Sequence, residues 1–141
     1  MIVGLTDPEL IQSHKRLSAY GKADFQLLDT IVEKSSRLVA TSHILTETSN
    51  LLGKPANPNT KPLLVMFASL LAVIERLEEI AVPSASVVDR SEFWYLGLTD
   101  TAALVEHESD FTLLTADNLL YVASLCAGRK AVYFPLLKDN H

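Results

Sequence analysis

GLTDTAALVEHESDFTLLTADNLLYVASLCAGRKAVYF, residues 97–134, carries the pattern that decides the fold. Thr99 can cap a helix from Asp100 to about His107, and Phe111-Thr112-Leu113-Leu114 is a short, continuously apolar strand. Asp117 can cap a second helix, Asn118 to Cys126, which Gly128 stops, and Ala131-Val132-Tyr133-Phe134 is the last strand. Helices and apolar strands alternating over short loops predict a mainly parallel sheet covered by helices.

The pattern extends upstream. Thr6-Asp7-Pro8-Glu9 has the spacing of a capping box and predicts a helix start, with Leu10, Ile11 and Leu17 facing a core. Gly21 separates this helix from one that Asp24 can cap, whose stripe is Leu27, Leu28, Ile31 and Val32. Arg37-Leu38-Val39-Ala40 is a strand, and Thr41 or Ser42 caps a helix that Gly53 stops. After a Pro- and Asn-rich loop from Lys54 to Lys61, Pro62 opens a long helix to about Glu79. That helix is apolar on most of its circumference and is expected to lie deep across a sheet. Ile80-Ala81-Val82 reads as a strand and Phe93 to Leu96 as a short apolar segment broken by Gly97.

The 141 residues suit one domain, 1–141, of a size that needs no disulfide to hold a core. Cys126 is the only cysteine, which rules out an internal disulfide and fits a reducing, cytoplasmic setting. The longest apolar run, Leu63 to Ile74, is shorter than the about 20 residues a spanning helix needs, so no membrane is expected. The start MIVGLTDPE lacks the basic and apolar regions of a signal peptide. Net charge is −5, from 12 Lys plus Arg against 17 Asp plus Glu, and no basic stripe advertises phosphate contacts. Folding can still gather scattered charges, and a metal enzyme can meet a phosphate through its cation.

The chemistry-bearing residues are acids and amides far apart in sequence. Glu47 and Asn50 share a face of the helix after the first visible strand. Asp100 stands in a helix first turn, and Asp117 follows a strand. In parallel sheets, ligands bind beyond the carboxyl ends of the strands. Carboxylates from separate elements meeting there would repel one another unless a divalent cation such as Mg²⁺ or Mn²⁺ neutralised them. Each also has a plain structural reading. Glu47 can be a solvated helix residue, Asp100 and Asp117 can simply satisfy helix N-termini, and Thr46, Thr99 and Thr115 can cap or orient neighbours. His14, His43, His107 and His141 form no metal-ligand spacing, and no nucleophile elbow or glycine-rich phosphate loop is present.

Two blocks carry a resemblance to the PIN domain family: Thr46-Glu47-Thr48-Ser49-Asn50-Leu51-Leu52, and the stretch from Gly97 to Phe134. The motifs are short, and their order and spacing together carry the likeness. The resemblance implies a three-layer α/β/α fold and a metal-dependent ribonuclease that hydrolyses RNA phosphodiester bonds. It implies Glu47, Asp100 and Asp117 as acidic catalytic and metal residues, with Asn50, Thr99, Thr115 and Asn118 in support. It further implies Mg²⁺ or Mn²⁺ as cofactor, an antitoxin protein as partner of a toxin-like chain, and a homodimer. The alternative is a non-catalytic interaction domain on the same scaffold.

The chain departs from the family at its start. The family opens on an apolar strand ending in an aspartate, and Met1-Ile2-Val3-Gly4 resembles the region after that motif. That strand lies mid-sheet in the family, between those matched by residues 38–40 and 112–115. Its absence removes one acid and two ladders of backbone hydrogen bonds. The expectation is a reading frame that begins further upstream, or a smaller sheet closed by direct pairing, or a strand from another chain.

Overall fold

The computed structural model describes residues 1–54, 56–105 and 111–139. Its elements run α1 (Ile2–Thr6), α2 (Leu10–Ser13), α3 (Lys22–Lys34), β1 (Leu38–Thr41), α4 (Ser42–Leu52), α5 (Lys61–Val73) and β2 (Leu77–Ile80). They continue α6 (Ser84–Val88), α7 (Phe93–Val105), β3 (Thr112–Thr115), α8 (Asn118–Cys126), β4 (Lys130–Tyr133) and α9 (Phe134–Lys138). This is a mixed α/β fold in which β1 pairs with β2 and β3 with β4, as two parallel two-stranded sheets flanked by helices. The expected single sheet is thus in two pieces, and among the described residues no strand joins β1 or β2 to β3 or β4.

The chain forms two compact units. One holds residues 1–39 and 48–78, the other residues 40–47 and 79–141. The first gathers Val3, Ile11, Leu52 and Leu63 into a core, with Leu17, Tyr20, Phe25 and Phe67 packed around them. Gly4 lets α1 sit against α3, since a Cβ there would lie 2.3 Å from Phe25 Cδ2. Thr6 does not start a helix as its spacing suggests. It closes α1, its hydroxyl donating to the Ile2 carbonyl at 3.0 Å, and Asp7 accepts from the Glu9 N–H in a tight turn before α2. Asp24 stands in the first turn of α3, and its carboxylate accepts from the Gly21 N–H at 2.7 Å.

The expected long helix ends early. α5 stops at Val73, and Leu77–Ile80 is strand rather than helix, so the strand placed at residues 80–82 begins three residues sooner. Polar anchors explain the shift. The Arg76 guanidinium donates to the carbonyls of Glu33 and Ser35, and the Leu38 N–H donates to the Arg76 carbonyl. Arg37 pairs with Glu78, and Ser42 donates to Glu79. These bonds to residues about 40 positions away favour an extended backbone over another helical turn. Nor does α5 lie deep: only Leu63 is buried, while Val65, Leu71 and Val73 are exposed.

The second unit has two small cores. Val82, Val87 and Ala102 form one, with Ile80, Phe93 and Val105 against them. Leu104, Leu120 and Ala123 form the other, with Leu96 and Leu113. α7 serves both, because Thr101, Ala102, Ala103 and Leu104 are all buried. It does so across a break at Gly97, whose φ of 80° and ψ of −177° lie where only glycine is comfortable. In β3–β4, Leu113 pairs with Ala131 and Leu114 with Val132. α8 begins on Asp117, which accepts from the Leu120 N–H, and ends at Gly128, where the Arg129 N–H reaches back to the Ser124 carbonyl. That 6→1 bond with a left-handed glycine is the expected helix stop. α9 has no counterpart in the sequence reading, and the expected end of the helix at His107 lies outside the described residues.

Gly97→Ala tests the break in isolation, because a Cβ there meets no atom within 4 Å. The cost is backbone strain alone, and urea unfolding should show a loss of about 1–3 kcal/mol. An unchanged midpoint would mean that the break is not held in that conformation.

Candidate functional site

Glu47, Asp100 and Asp117 all fall within the second unit. Glu47 is carried by α4, a helix started by Thr41, whose hydroxyl accepts from the Ile44 N–H at 3.2 Å. Asp100 comes three residues after the Gly97 break and directly before the buried Thr101–Leu104 segment, which leaves it half-buried. Asp117 follows β3 and is exposed. Its N–H donates to the Thr115 hydroxyl at 3.0 Å, and its carboxylate caps α8 at 2.9 Å. Thr115 thus holds the backbone at Asp117.

Asp100 senses the other two acids. The Asp100 carboxyl is pushed up from 3.8 to about 6, first by burial, then by the negative charges of Asp117 and Glu47. Carboxylates from three elements thus share one electrostatic neighbourhood. Their side chains do not close into a cage: among the described residues no three His, Cys, Asp or Glu side chains stand close enough to hold one ion. The donor set is all carboxylate oxygen, which suits Mg²⁺ or Mn²⁺ in chemistry, and such ions commonly keep several waters between themselves and protein.

Of the supporting residues, Thr99 is half-buried next to Asp100, and Asn118 is exposed at the first position of α8. Asn50 is exposed one turn along α4 from Glu47 and belongs to the other unit, so it is not grouped with the acids. Sequence reading missed one polar pair: His43 Nε2 lies 3.1 Å from Ser84 Oγ, with His43 Nδ1 buried and without a partner among the described residues. The two residues are 41 apart, and no spacing rule connects them. A nucleophilic serine needs a base that a third group orients, and no described group bonds Nδ1 to do so. Thr101 Oγ1 is likewise buried without a described partner.

Comparison with known proteins returns no match: no family model fits the chain, and neither a curated protein nor a solved structure is similar to it. The fold is that of a mixed α/β protein, with Glu47, Asp100 and Asp117 all in one unit.

The raised Asp100 carboxyl has a signed consequence. Between about pH 4 and pH 6 the folded state holds a proton that the unfolded state has released, so this residue's contribution to stability falls as pH rises, then levels off. Asp100→Asn should remove that slope and, in EDTA, raise stability at pH 7 by about 1 kcal/mol after discounting for solvent screening. Urea denaturation of both proteins from pH 4 to 7.5 checks this, and parallel curves would mean that neither burial nor neighbouring charge raises the Asp100 carboxyl.

Proposed function

We propose that this chain is a PIN-like, divalent-metal-dependent ribonuclease. The observation that carries the reading is the electrostatic coupling of Asp100 to Asp117 and Glu47, acids contributed by α7, the β3–α8 junction and α4. Isolated solvated acids or simple helix caps would not need to share a field. The order of elements from β1 to β4 is compatible with the three-layer scaffold that the sequence resemblance implies.

Each residue then has a task. Half-buried Asp100 concentrates negative charge where water is scarce, which makes cation capture favourable. Glu47 adds a second carboxylate from α4. Asp117, held by Thr115 and by its own capping bond, presents its charge at the mouth of β3, where it would orient an attacking water. A bound Mg²⁺ or Mn²⁺ would lower the pKa of that water and offset charge on the phosphate oxygens. RNA is the substrate, an antitoxin protein the regulator, and the cytoplasm the setting. Among the described residues no helix is long and apolar enough to cross a membrane.

The second reading is a protein-interaction domain without catalysis. It is favoured by apolar side chains left in solvent, with Val65, Leu71 and Val73 on α5 and Trp94, 81% exposed, on α7. Calorimetric titration with Mn²⁺ separates the two. The nuclease reading requires binding that Glu47→Ala and Asp100→Ala both abolish, together with loss of Mn²⁺-dependent RNA cleavage. Retained cleavage in either variant overturns the roles assigned here, and absence of Mn²⁺ binding by the native chain favours the interaction reading.

A milder variant isolates Asp117. Asparagine caps helices as well as aspartate does, so Asp117→Asn should leave thermal stability within about 0.5 kcal/mol. It should lower Mn²⁺ affinity roughly 10- to 100-fold, the size of a lost orienting contact at a metal site. Calorimetry and thermal melts on the same sample check both halves.

A further inference from the structure

β3 and β4 run parallel and end together, with Thr115 opposite Tyr133 as the last residues of the two strands. Neighbouring strands lie about 5 Å apart, and every second residue of a strand faces the same way. Leu113 and Ala131 stand two positions back, and Leu113 packs against the core that Leu120 and Ala123 of α8 enter. Tyr133 lies on that same face and meets α8. Its ring stacks on that of Tyr121, with centroids 5.6 Å apart and planes 26° from parallel. Both tyrosines are half-buried, so the pair closes the end of the apolar core while keeping contact with solvent.

The pair borders Asp117. The Asp117 N–H donates to the Thr115 hydroxyl, and one turn later the Tyr121 N–H donates to the Asp117 carbonyl at 3.0 Å. Thr115, Asp117, Tyr121 and Tyr133 thus form a closed circuit of contacts at the carboxyl ends of β3 and β4, the end at which parallel sheets take ligands. Charge narrows the choice of ligand chemistry. The chain carries a net charge of −5, and α8 has no charged residue from Asn118 to Cys126. A polyanion brought to this place is not held by basic side chains of α8. Stacking on aromatic rings needs no charge, and every nucleobase offers a flat face to it. We propose that Tyr121 and Tyr133 form a subsite that takes one unpaired base of single-stranded RNA and thereby sets the adjoining phosphate towards the acids. The phenol hydroxyls add donors and acceptors for the edge of the base. The choice of RNA rests on the ribonuclease reading, which it deepens by supplying the substrate affinity that the charge balance does not.

Fluorescence anisotropy of a labelled RNA octamer, measured in EDTA with the full chain, reads binding apart from metal-dependent cleavage. The native chain should bind the octamer, and should bind an abasic strand with the same number of phosphates roughly tenfold more weakly. Tyr121→Leu and Tyr133→Leu keep apolar bulk but remove the ring. Each should weaken RNA binding roughly tenfold and leave abasic binding unchanged. Tyr121→Phe and Tyr133→Phe retain the ring and should stay within about threefold of the native chain. Circular dichroism of the same samples reports the fold, and if a Leu variant unfolds, the abasic comparison on the native chain still decides. Equal affinity for the two strands overturns the proposal, as do folded Leu variants that bind like the native chain. Absence of RNA binding overturns it too and leaves the pair to a protein partner. The two readings fail separately. Mn²⁺-dependent cleavage with unchanged affinity in the Leu variants rejects the subsite and keeps the nuclease. Base-dependent binding in EDTA without Mn²⁺-dependent cleavage keeps the subsite and rejects the nuclease.

Discussion

Burial of Thr101–Leu104 in α7 constrains the second unit more than any other feature. Four consecutive buried helical residues require neighbours on every side of the helix. Ala102 faces the core of Val82 and Val87, and Leu104 faces that of Leu120 and Ala123. α6, α7 and α8 are thereby tied together. The residue before such a segment cannot remain fully hydrated, and that residue is Asp100. The elevated affinity of its carboxyl for a proton follows from packing first and from neighbouring acids second.

Local signals in the second half were legible because each is a short-range physical rule. Asp117 before an apolar run, Gly128 after it, and Gly97 between two apolar segments all act where their positions suggest. The three acids stand out as candidates through their spacing relative to strands; in the structure Asp100 is raised by burial and by the charges of Asp117 and Glu47, while among the described residues no three such side chains close around one ion. Less accessible was anything set by partners distant in sequence. Nothing near Leu77 announces that Glu78 will meet Arg37 or that Glu79 will meet Ser42, so the apolar periodicity of α5 ran on through a segment that is strand. The same blindness hid the His43–Ser84 contact.

Thr6 teaches a related lesson. A Thr followed three residues later by Glu has the spacing of a capping box, but the hydroxyl bonds backward to Ile2, and the turn at Asp7 carries the chain onward. Side chains of Thr and Asp can satisfy backbone groups in either direction, so motif spacing alone does not fix which helix they serve. The halving of the sheet is a non-local result of another kind. Strand content and parallel direction follow from apolar runs and crossover lengths, whereas continuity needs a strand whose neighbours lie far away in the chain.

The division into two units has a temporal side. The first is assembled from residues 1–39 and 48–78, so its last segment is translated before most of the second. Its core of Val3, Ile11, Leu52 and Leu63 is complete by then, and domains commonly fold as units during synthesis. The second unit is completed only by residues 79–141, which follow. Because the chain crosses between the units three times, no single proteolytic cut liberates either one. Excision by truncation would strip the second unit of Glu47 along with the start of α4.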